Sequence, residues 1–241
     1  MSEDRPAFYA LAPGGWRDWW TLLHPPYTLW HLSYVALGAV TAAHVDLYRL
    51  GMSLLGFFLG VGLAAHALDE LRGRPLRTSI PDLVLRGVAV VALAGAAVVG
   101  VIGIEQFSPW LAIFIVVGIF LVVAYNLELF GGAFHTDLWF ALAWGGFPAL
   151  TGAFAQEGRL LAPAVLVAGA CVAISGAQRV LSTPVRRLRR RVATVSGTLT
   201  LRDGTTEPIG ADTIRAAPEA ALRLLSLAMP LLATALVISR L

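Results

Sequence analysis

Seven apolar stretches constrain the fold of this 241-residue chain more than any other feature of its sequence. A transmembrane helix needs about 20 mostly apolar residues, and each stretch is close to that length. Only 14% of the residues are charged, whereas a soluble domain averages about 25%. This excludes a disordered chain, a secreted disulfide scaffold and an ordinary soluble enzyme. We therefore predict an all-α integral membrane protein, a bundle of about seven transmembrane helices. The stretches are 27–45, 48–68, 84–104, 109–127, 137–155, 160–182 and 217–239.

The placement of the arginines predicts the orientation of the bundle. All 18 basic residues are arginine, and cytoplasmic loops of membrane proteins carry the excess of basic residues. With the N-terminus in the cytoplasm, 15 arginines lie on the cytoplasmic side, and Arg49, Arg159 and Arg240 lie outside. We therefore expect a cytoplasmic N-terminus and an external C-terminus, in the cytoplasmic membrane of a bacterium or archaeon. Residues 1–20 lack the early apolar run of a signal peptide.

Four segments follow from this pattern. Residues 1–26 form an N-terminal interfacial segment, in which Trp16, Trp19 and Trp20 indicate an amphipathic helix at headgroup level. Residues 27–183 form a six-helix bundle. Residues 184–216 form a basic cytoplasmic segment whose arginine cluster suits anionic lipid, and residues 217–241 contain the seventh helix. Within the basic segment, alternating residues from Val195 to Leu201 precede an Asp-Gly pair, which predicts a small cytoplasmic β-hairpin between the sixth and seventh helices.

The first candidate site lies at the cytoplasmic end of the second stretch. His66, Asp69 and Glu70 share one helical face because they are three and four residues apart. Carboxylates at a helix mouth suit Mg²⁺, which prefers carboxylate and phosphate oxygens, with His66 as an auxiliary ligand or base. Three arginines with the geometry for phosphate follow at once. The alternative is an ordinary positive-inside loop whose acids are neutralised by neighbouring arginines. The three arginines are Arg72, Arg74 and Arg77.

The second candidate site is the loop between the fourth and fifth stretches, which is acidic and polar and contains no arginine. A polar loop opposite a basic loop predicts that both line one pocket. Arg179, at the cytoplasmic end of the sixth stretch, would face a phosphate or an acidic partner. The alternatives are that Thr136 or Asp137 caps the fifth helix and that Arg179 snorkels to the interface. The polar residues of the loop are Tyr125, Asn126, Glu128, His135 and Asp137.

Several chemistries are excluded by composition. The chain has no lysine, so it has no Schiff-base former and no lysine base. The single cysteine, Cys171, excludes an intrachain disulfide and a cysteine-based zinc site. A basic net charge spread over an apolar chain does not indicate nucleic-acid binding. The remaining partners are membrane lipids, a lipid-like ligand and a membrane protein partner.

The sequence resembles the UbiA superfamily of intramembrane prenyltransferases over about residues 20–155. LLHPPYTLWHLSYVALGAV is similar to the opening helix of that family, and DELRGRPLRT is similar to its first acidic motif with a trailing Arg-Pro-Leu. YNLEL and GGFPALTG are similar to the tyrosine-bearing loop and the glycine-rich helix after it. The departures are a degenerate first acidic motif, a basic sequence where the second acidic motif belongs, and seven stretches where family members typically have nine helices.

The resemblance implies an enzyme acting on an isoprenyl diphosphate, either a prenyltransferase or a terpene cyclase. Asp69 and Glu70 would hold Mg²⁺ with His66, and the diphosphate would ionise at the cytoplasmic mouth. Aromatic side chains, namely Tyr125, Trp139 and Trp144, would stabilise the allylic cation. The residues for the diphosphate and substrate are Arg72, Arg74, Arg77, Asn126, His135, Asp137 and Arg179.

A non-catalytic relative is the alternative. The bundle would then bind a lipid, a quinone or a carotenoid, or serve as a subunit of a larger membrane complex. The missing second acidic motif and the added hairpin favour this alternative, since a hairpin offers a docking surface. A transporter is disfavoured because no internal repeat and no buried charge pair at mid-membrane depth is evident.

Overall fold

The computed structural model describes residues 5–241, so the first four residues of the predicted interfacial segment lie outside the described part. Eight helices and one hairpin follow one another, with a short helical turn at Leu129–Gly132 between the fifth and sixth helices. Helix α3 includes a wider π-helical turn at Phe58–Ala65, and α6 includes another at Leu142–Gly146. The elements are α1 (Trp16–Leu23), α2 (Pro25–Ala39), α3 (Leu47–Leu71), α4 (Asp82–Gln106), α5 (Leu111–Asn126), α6 (Asp137–Glu157), α7 (Ala162–Arg191), β1 (Gly197–Thr200), β2 (Thr206–Ile209) and α8 (Ala211–Ile238).

Five of the helices in the described residues, α3, α4, α6, α7 and α8, are long and apolar enough to cross a membrane. This agrees with the prediction of a helical membrane protein. Helix α5 is apolar but has only 16 residues, and α2 has 15. The number of seven spans therefore stays a prediction, because both helices are shorter than the usual length of a crossing helix.

Helix α4 illustrates how the apolar stretches divide between lipid and core. Leu85, Ala89 and Ala92 are buried and recur at helical spacing on one face. Val90 and Val91, on another face, are 67% and 72% exposed in the isolated chain. Exposed valines in such numbers suit a lipid environment rather than water. The long apolar helix thus packs through one stripe of small and branched residues.

Close crossings between helices depend on glycine. A Cβ at Gly38 of α2 would overlap the carbonyl oxygen of Ala149 in α6, and a Cβ at Gly152 would overlap that of Val35. Small residues allow backbones in membrane bundles to approach this closely. Helix α8 packs on the other side of α2 and on α7. The crossing of α2 and α6 is therefore the centre of the bundle.

The predicted hairpin is present. Strands β1 and β2 are antiparallel, with Gly197 opposite Ile209 and Thr200 opposite Thr206. The Asp203 carboxylate accepts hydrogen bonds from the backbone N–H and hydroxyl of Thr205, and Gly204 takes a left-handed φ of 88°. The side chains of both strands are almost all exposed.

The arginine cluster before the hairpin is part of α7 rather than a separate segment. Helix α7 continues through Pro184 to Arg191, although proline usually ends or kinks a helix. Proline is tolerated in membrane helices where neighbouring groups satisfy the freed backbone. Helix α8 likewise begins at Ala211, ahead of the predicted apolar stretch. The helical part of the chain therefore extends beyond both predicted stretches at this end.

Candidate functional site

A polar cavity of about 510 Å³ lies at the end of the bundle where α3, α5 and α7 finish, here called the arginine-rich end. Its wall combines the N-terminal segment, the junction of α1 with α2, and five of the longer helices or their ends. The polar and aromatic lining residues are Phe8, Tyr9, His24, Tyr27, His31, His66, Asp69, Tyr125, Asn126, His135, Phe140, Trp144, Gln178, Arg179, Ser182, Thr183, Arg186, Arg187, Arg190 and Arg191.

Helix α7 supplies all the arginines on this wall. Arg179 forms an ion pair with Asp137 at 2.6 Å, and its guanidinium lies 5.0 Å from the ring centre of Phe140. Arg190 donates a hydrogen bond from Nε to the carbonyl oxygen of Pro6 at 3.3 Å. Arg186 contacts Thr183 through a weak hydrogen bond of 3.5 Å. Among the described acids, only Asp69 lines the cavity, so the wall is strongly cationic.

Imidazole rings form the opposite wall. The Nδ1 atoms of His31, His66 and His135 lie 2.9–3.1 Å from the backbone oxygens of Trp144, Gly62 and Tyr125. A carbonyl oxygen only accepts, so each Nδ1 carries the proton and donates it. Each Nε2 is then left as a hydrogen-bond acceptor or a base. This part of the wall can therefore accept hydrogen bonds from a ligand through the Nε2 atoms.

His24 and Tyr9 lie next to each other in the wall of the cavity. The His24 ring centre is 4.1 Å from that of His66 and 5.1 Å from that of Tyr9. Burial lowers the pKa of His24 well below its ordinary value, and the nearby His66 and Arg190 lower this pKa further. Burial raises the pKa of Tyr9, as does the neighbouring Tyr27. Both side chains are therefore neutral near pH 7, since burial disfavours a charged form.

The adjacent acids Asp69 and Glu70 have different roles. Glu70 is fully buried, and its two carboxylate oxygens accept hydrogen bonds of 2.9 Å from the backbone N–H groups of Leu76 and Thr78 and from the Thr78 hydroxyl. It therefore holds the loop between α3 and α4, away from the polar cavity. Asp69 lines the cavity. The predicted set of Asp69, Glu70 and His66 does not fit Mg²⁺, because Glu70 is committed to the loop.

A metal site of another composition is not found either. Within residues 5–241, no group of three or more histidine, cysteine, aspartate or glutamate side chains is arranged to hold an ion.

The other predicted arginines of this loop also lie outside the cavity lining. Arg72 pairs with Glu128 at 2.8 Å near the surface, and Arg74 pairs with Asp82 and donates to the Ile80 carbonyl. Arg77, with a left-handed φ of 57°, belongs to the same loop. Asp137 is 70% exposed and meets the site only through Arg179.

Seven of the predicted residues do come together around the cavity: His66, Asp69, Tyr125, Asn126, His135, Trp144 and Arg179. Trp139 does not line it. Sequence reasoning missed the contributions of His24, His31, Arg186 and Arg190. The spacing of Arg179, Thr183, Arg186 and Arg190 by three and four residues was the available signal, because it places them on one helical face.

A second cavity, of about 370 Å³, adjoins the first and extends towards the opposite end of the bundle. It lies between α3, α4, α5 and α6, and its lining is mostly apolar. Val61 and Trp144 line both cavities, and each belongs to one of the two π-helical turns. Such turns interrupt regular helix packing and recur at functional sites. The two cavities therefore adjoin at Val61 and Trp144, where both helices are widened.

The far end of the apolar cavity carries a small polar cluster. The Asp46 backbone N–H donates to Gln156 Oε1 at 2.8 Å, and Arg49 donates to the Gln156 carbonyl at 2.9 Å. The Arg49 guanidinium also lies 3.8 Å from the ring centre of Phe107. These contacts join α3, α4 and α6 at the point where the cavity ends.

Comparisons of the chain with protein-family models, with curated proteins and with solved structures find no match.

Proposed function

We propose that the protein is a UbiA-like membrane enzyme that acts on an isoprenyl diphosphate, by prenyl transfer or cyclisation. The observation that carries this proposal is the junction of a cationic cavity with an apolar one at Val61 and Trp144. A diphosphate headgroup suits the first cavity and a hydrocarbon tail suits the second. The reactive carbon between them would then lie at the junction.

Charge supports the headgroup assignment. Arginine binds phosphate oxygens through charge-assisted hydrogen bonds in a bidentate geometry. Arg186 and Arg190 donate hydrogen bonds to Thr183 and to the Pro6 carbonyl oxygen, and Arg179 pairs with Asp137. Asp69, the one acid that the described residues place on the wall, interacts with both Arg186 and Arg190, so the guanidinium groups on the wall outnumber the carboxylates. A cluster of guanidinium groups away from bulk water costs free energy unless an anion is bound. A bound diphosphate would lower that cost.

The chemical step follows from the same arrangement. The bond between the allylic carbon and the diphosphate oxygen breaks, and its electron pair leaves with the diphosphate, which the arginines stabilise. The ring centres of Tyr125 and Trp144 lie 5.5 Å apart, and those of Tyr125 and Phe140 lie 6.1 Å apart. These faces would stabilise the cation. The cation then bonds to an acceptor, or closes on its own double bond, and the released proton passes to Asp69.

The predicted Mg²⁺ does not enter this sequence of steps. Of the predicted ligands, only Asp69 and His66 line the cavity, and the guanidinium groups supply the positive charge that the ion would bring. Mg²⁺ dependence therefore stays a prediction that rests on Asp69.

The alternative is a non-catalytic protein that binds a lipid, a quinone or a carotenoid, or serves within a larger membrane complex. The commitment of Glu70 to the α3–α4 loop favours it, because Asp69 is then the one carboxylate that residues 5–241 place on the cavity wall. A phosphate-headed ligand would then bind without turnover.

The test uses the purified chain in detergent with geranyl, farnesyl and geranylgeranyl diphosphate, with and without Mg²⁺. Mass spectrometry detects products, and the shift in melting temperature detects binding. We expect Arg186→Gln to reduce both the shift and the amount of product. Arg72→Gln, which removes an arginine paired with Glu128 outside the cavity, is the matched control and keeps both. Binding without products supports the alternative. Equal binding to wild type and Arg186→Gln contradicts the headgroup assignment.

A further inference from the structure

We infer that the apolar cavity selects the tail length of the ligand, with Gly60 setting its width and the Arg49–Phe107 contact setting its far end. This inference rests on the proposed function, because it takes the tail to belong to a ligand whose head lies in the polar cavity. It assigns specificity to residues remote from the reacting atoms.

Gly60 is the residue that faces the free volume of this cavity. Gly60 is buried, yet a Cβ added to it would meet no atom within 4 Å. Glycines of other helices that line this cavity face neighbouring side chains instead: a Cβ at Gly100 of α4 would lie 2.5 Å from Ile115, and one at Gly118 of α5 would lie 3.3 Å from Phe147. A buried glycine with open space in front of it therefore marks the place where the cavity is kept wide.

The length of the cavity is defined along α3. Its lining runs from Val61, at the junction, to Asp46, which is roughly 20 Å at the helical rise of 1.5 Å per residue. The polar contacts of Arg49 with Gln156 and Phe107 lie at that end. A hydrocarbon tail entering at the junction would stop there, because passing the cluster would leave polar groups without partners.

Fit, rather than hydrophobic transfer, must produce the selectivity. In a micelle or a bilayer, the tail of a free ligand already lies in hydrocarbon, so each added methylene gains little on entering the protein. A tail that is too long or too wide forces repacking of a close-packed wall, which is unfavourable. Selection therefore appears as rejection of tails beyond a limiting length.

The experiment measures how strongly geranyl, farnesyl and geranylgeranyl diphosphate, and also geranylgeraniol, bind in competition with one another. It uses the wild type and each variant in the same detergent. Inorganic pyrophosphate reports on the polar cavity alone. We expect Gly60→Phe to weaken the binding of geranylgeranyl diphosphate by at least about tenfold relative to the binding of pyrophosphate. Overpacking of a cavity wall lowers affinity by about this factor. Gly60→Leu should give a smaller loss. Phe107→Ala should move the preference towards the longer tail.

Gly169→Phe is the matched control, because Gly169 lies on the exposed face of α7, outside both cavities, with no atom within 4 Å of an added Cβ. Unchanged pyrophosphate binding shows that a variant is folded. If Gly60→Phe is not folded, Gly60→Leu is used in its place. An unaltered length profile in the folded Gly60 variants overturns the inference. If pyrophosphate does not bind wild type, the proposed function is contradicted. The effect of the Gly60 variants on geranylgeraniol binding then still tests the role of the apolar cavity.

Discussion

The two cavities are built by different means. The polar cavity is assembled from side chains that are far apart in sequence, such as Tyr9, His66 and Arg186, and it is lined by ionisable groups. The apolar cavity lies between four neighbouring helices and is lined mostly by apolar side chains, with Gly60 and a π-helical turn in its wall. Charge therefore defines the first region, and the shape of an apolar wall defines the second. Substitutions should act accordingly: removal of charge affects one cavity, and addition of volume affects the other.

The largest effect should come from the acid that lies beside the polar cavity without lining it. Glu70→Ala leaves the N–H groups of Leu76 and Thr78 without acceptors in a buried loop. We expect the free energy of unfolding to fall by about 3 kcal/mol, measured as a lower melting temperature in detergent. Glu105→Ala, at an exposed position, is the control.

Asp69→Asn should behave in the opposite way to Glu70→Ala. The Asp69 side chain lines the cavity, and asparagine has nearly the same shape. We therefore expect turnover and any dependence on Mg²⁺ to fall, while the melting temperature stays close to that of wild type. A large loss of stability in Asp69→Asn, or a neutral Glu70→Ala, would contradict the assignment of the two acids to different roles.

Arg186→Gln should give the next largest effect. One charge-assisted contact to a phosphate contributes about 2 kcal/mol, so we expect roughly thirtyfold weaker binding of pyrophosphate and of geranylgeranyl diphosphate. The loss should be the same for both ligands, because Arg186 contacts only the head. Isothermal titration of the two ligands measures it. A loss confined to the ligand with a tail would place Arg186 at the tail instead.

The independence of the two cavities can be measured directly. In the double variant Arg186→Gln with Gly60→Phe, the losses in binding free energy for geranylgeranyl diphosphate should add within about 0.5 kcal/mol, as for residues that share no partner. A coupling of more than about 1 kcal/mol would mean that the head and the tail do not occupy separate regions.

The smallest effect is a dependence of stability on pH. His24 has a folded-state pKa well below its ordinary value of 6.5. Below pH 6.5 the unfolded chain takes up a proton at this position and the folded chain does not, so stability falls as the pH decreases from 6.5 towards the folded pKa. His66, His31, Arg186 and Arg190 act on His24 in the same direction.

Melting temperatures at about pH 7.5 and pH 5.5 should therefore differ less in His24→Gln than in wild type. His44→Gln, at an exposed position, is the control and should leave the difference unchanged. An undiminished difference in His24→Gln would contradict the lowered pKa.

The sequence predicts the apolar cavity only indirectly and the polar cavity in part. Five of the seven predicted stretches form helices that are long and apolar enough to cross a membrane in the described residues. The hairpin and the capping of α6 by Thr136 are also present, and all of these features follow from local patterns. The π-helical turns do not follow, because no residue type marks them.

At the polar cavity, the spacing of His66, Asp69 and Glu70 predicts one shared face, yet the loop after α3 draws Glu70 away through three hydrogen bonds. That outcome depends on tertiary structure rather than on spacing. Arg186 and Arg190 were interpreted as lipid contacts because residues 184–216 were placed outside the bundle. The continuation of α7 through Pro184 instead places both side chains on the cavity wall.

The central claim is that one amphiphile occupies both cavities at once. An experimental structure with geranylgeranyl thiolodiphosphate, whose carbon–sulfur bond resists ionisation, tests it most directly. The account predicts phosphate density within hydrogen-bonding distance of Arg186 and Arg190, and continuous tail density passing between Val61 and Trp144 and along Gly60 towards Phe107. Density for the head at Arg72 and Arg74, or a tail that leaves the bundle without entering the apolar cavity, would contradict it.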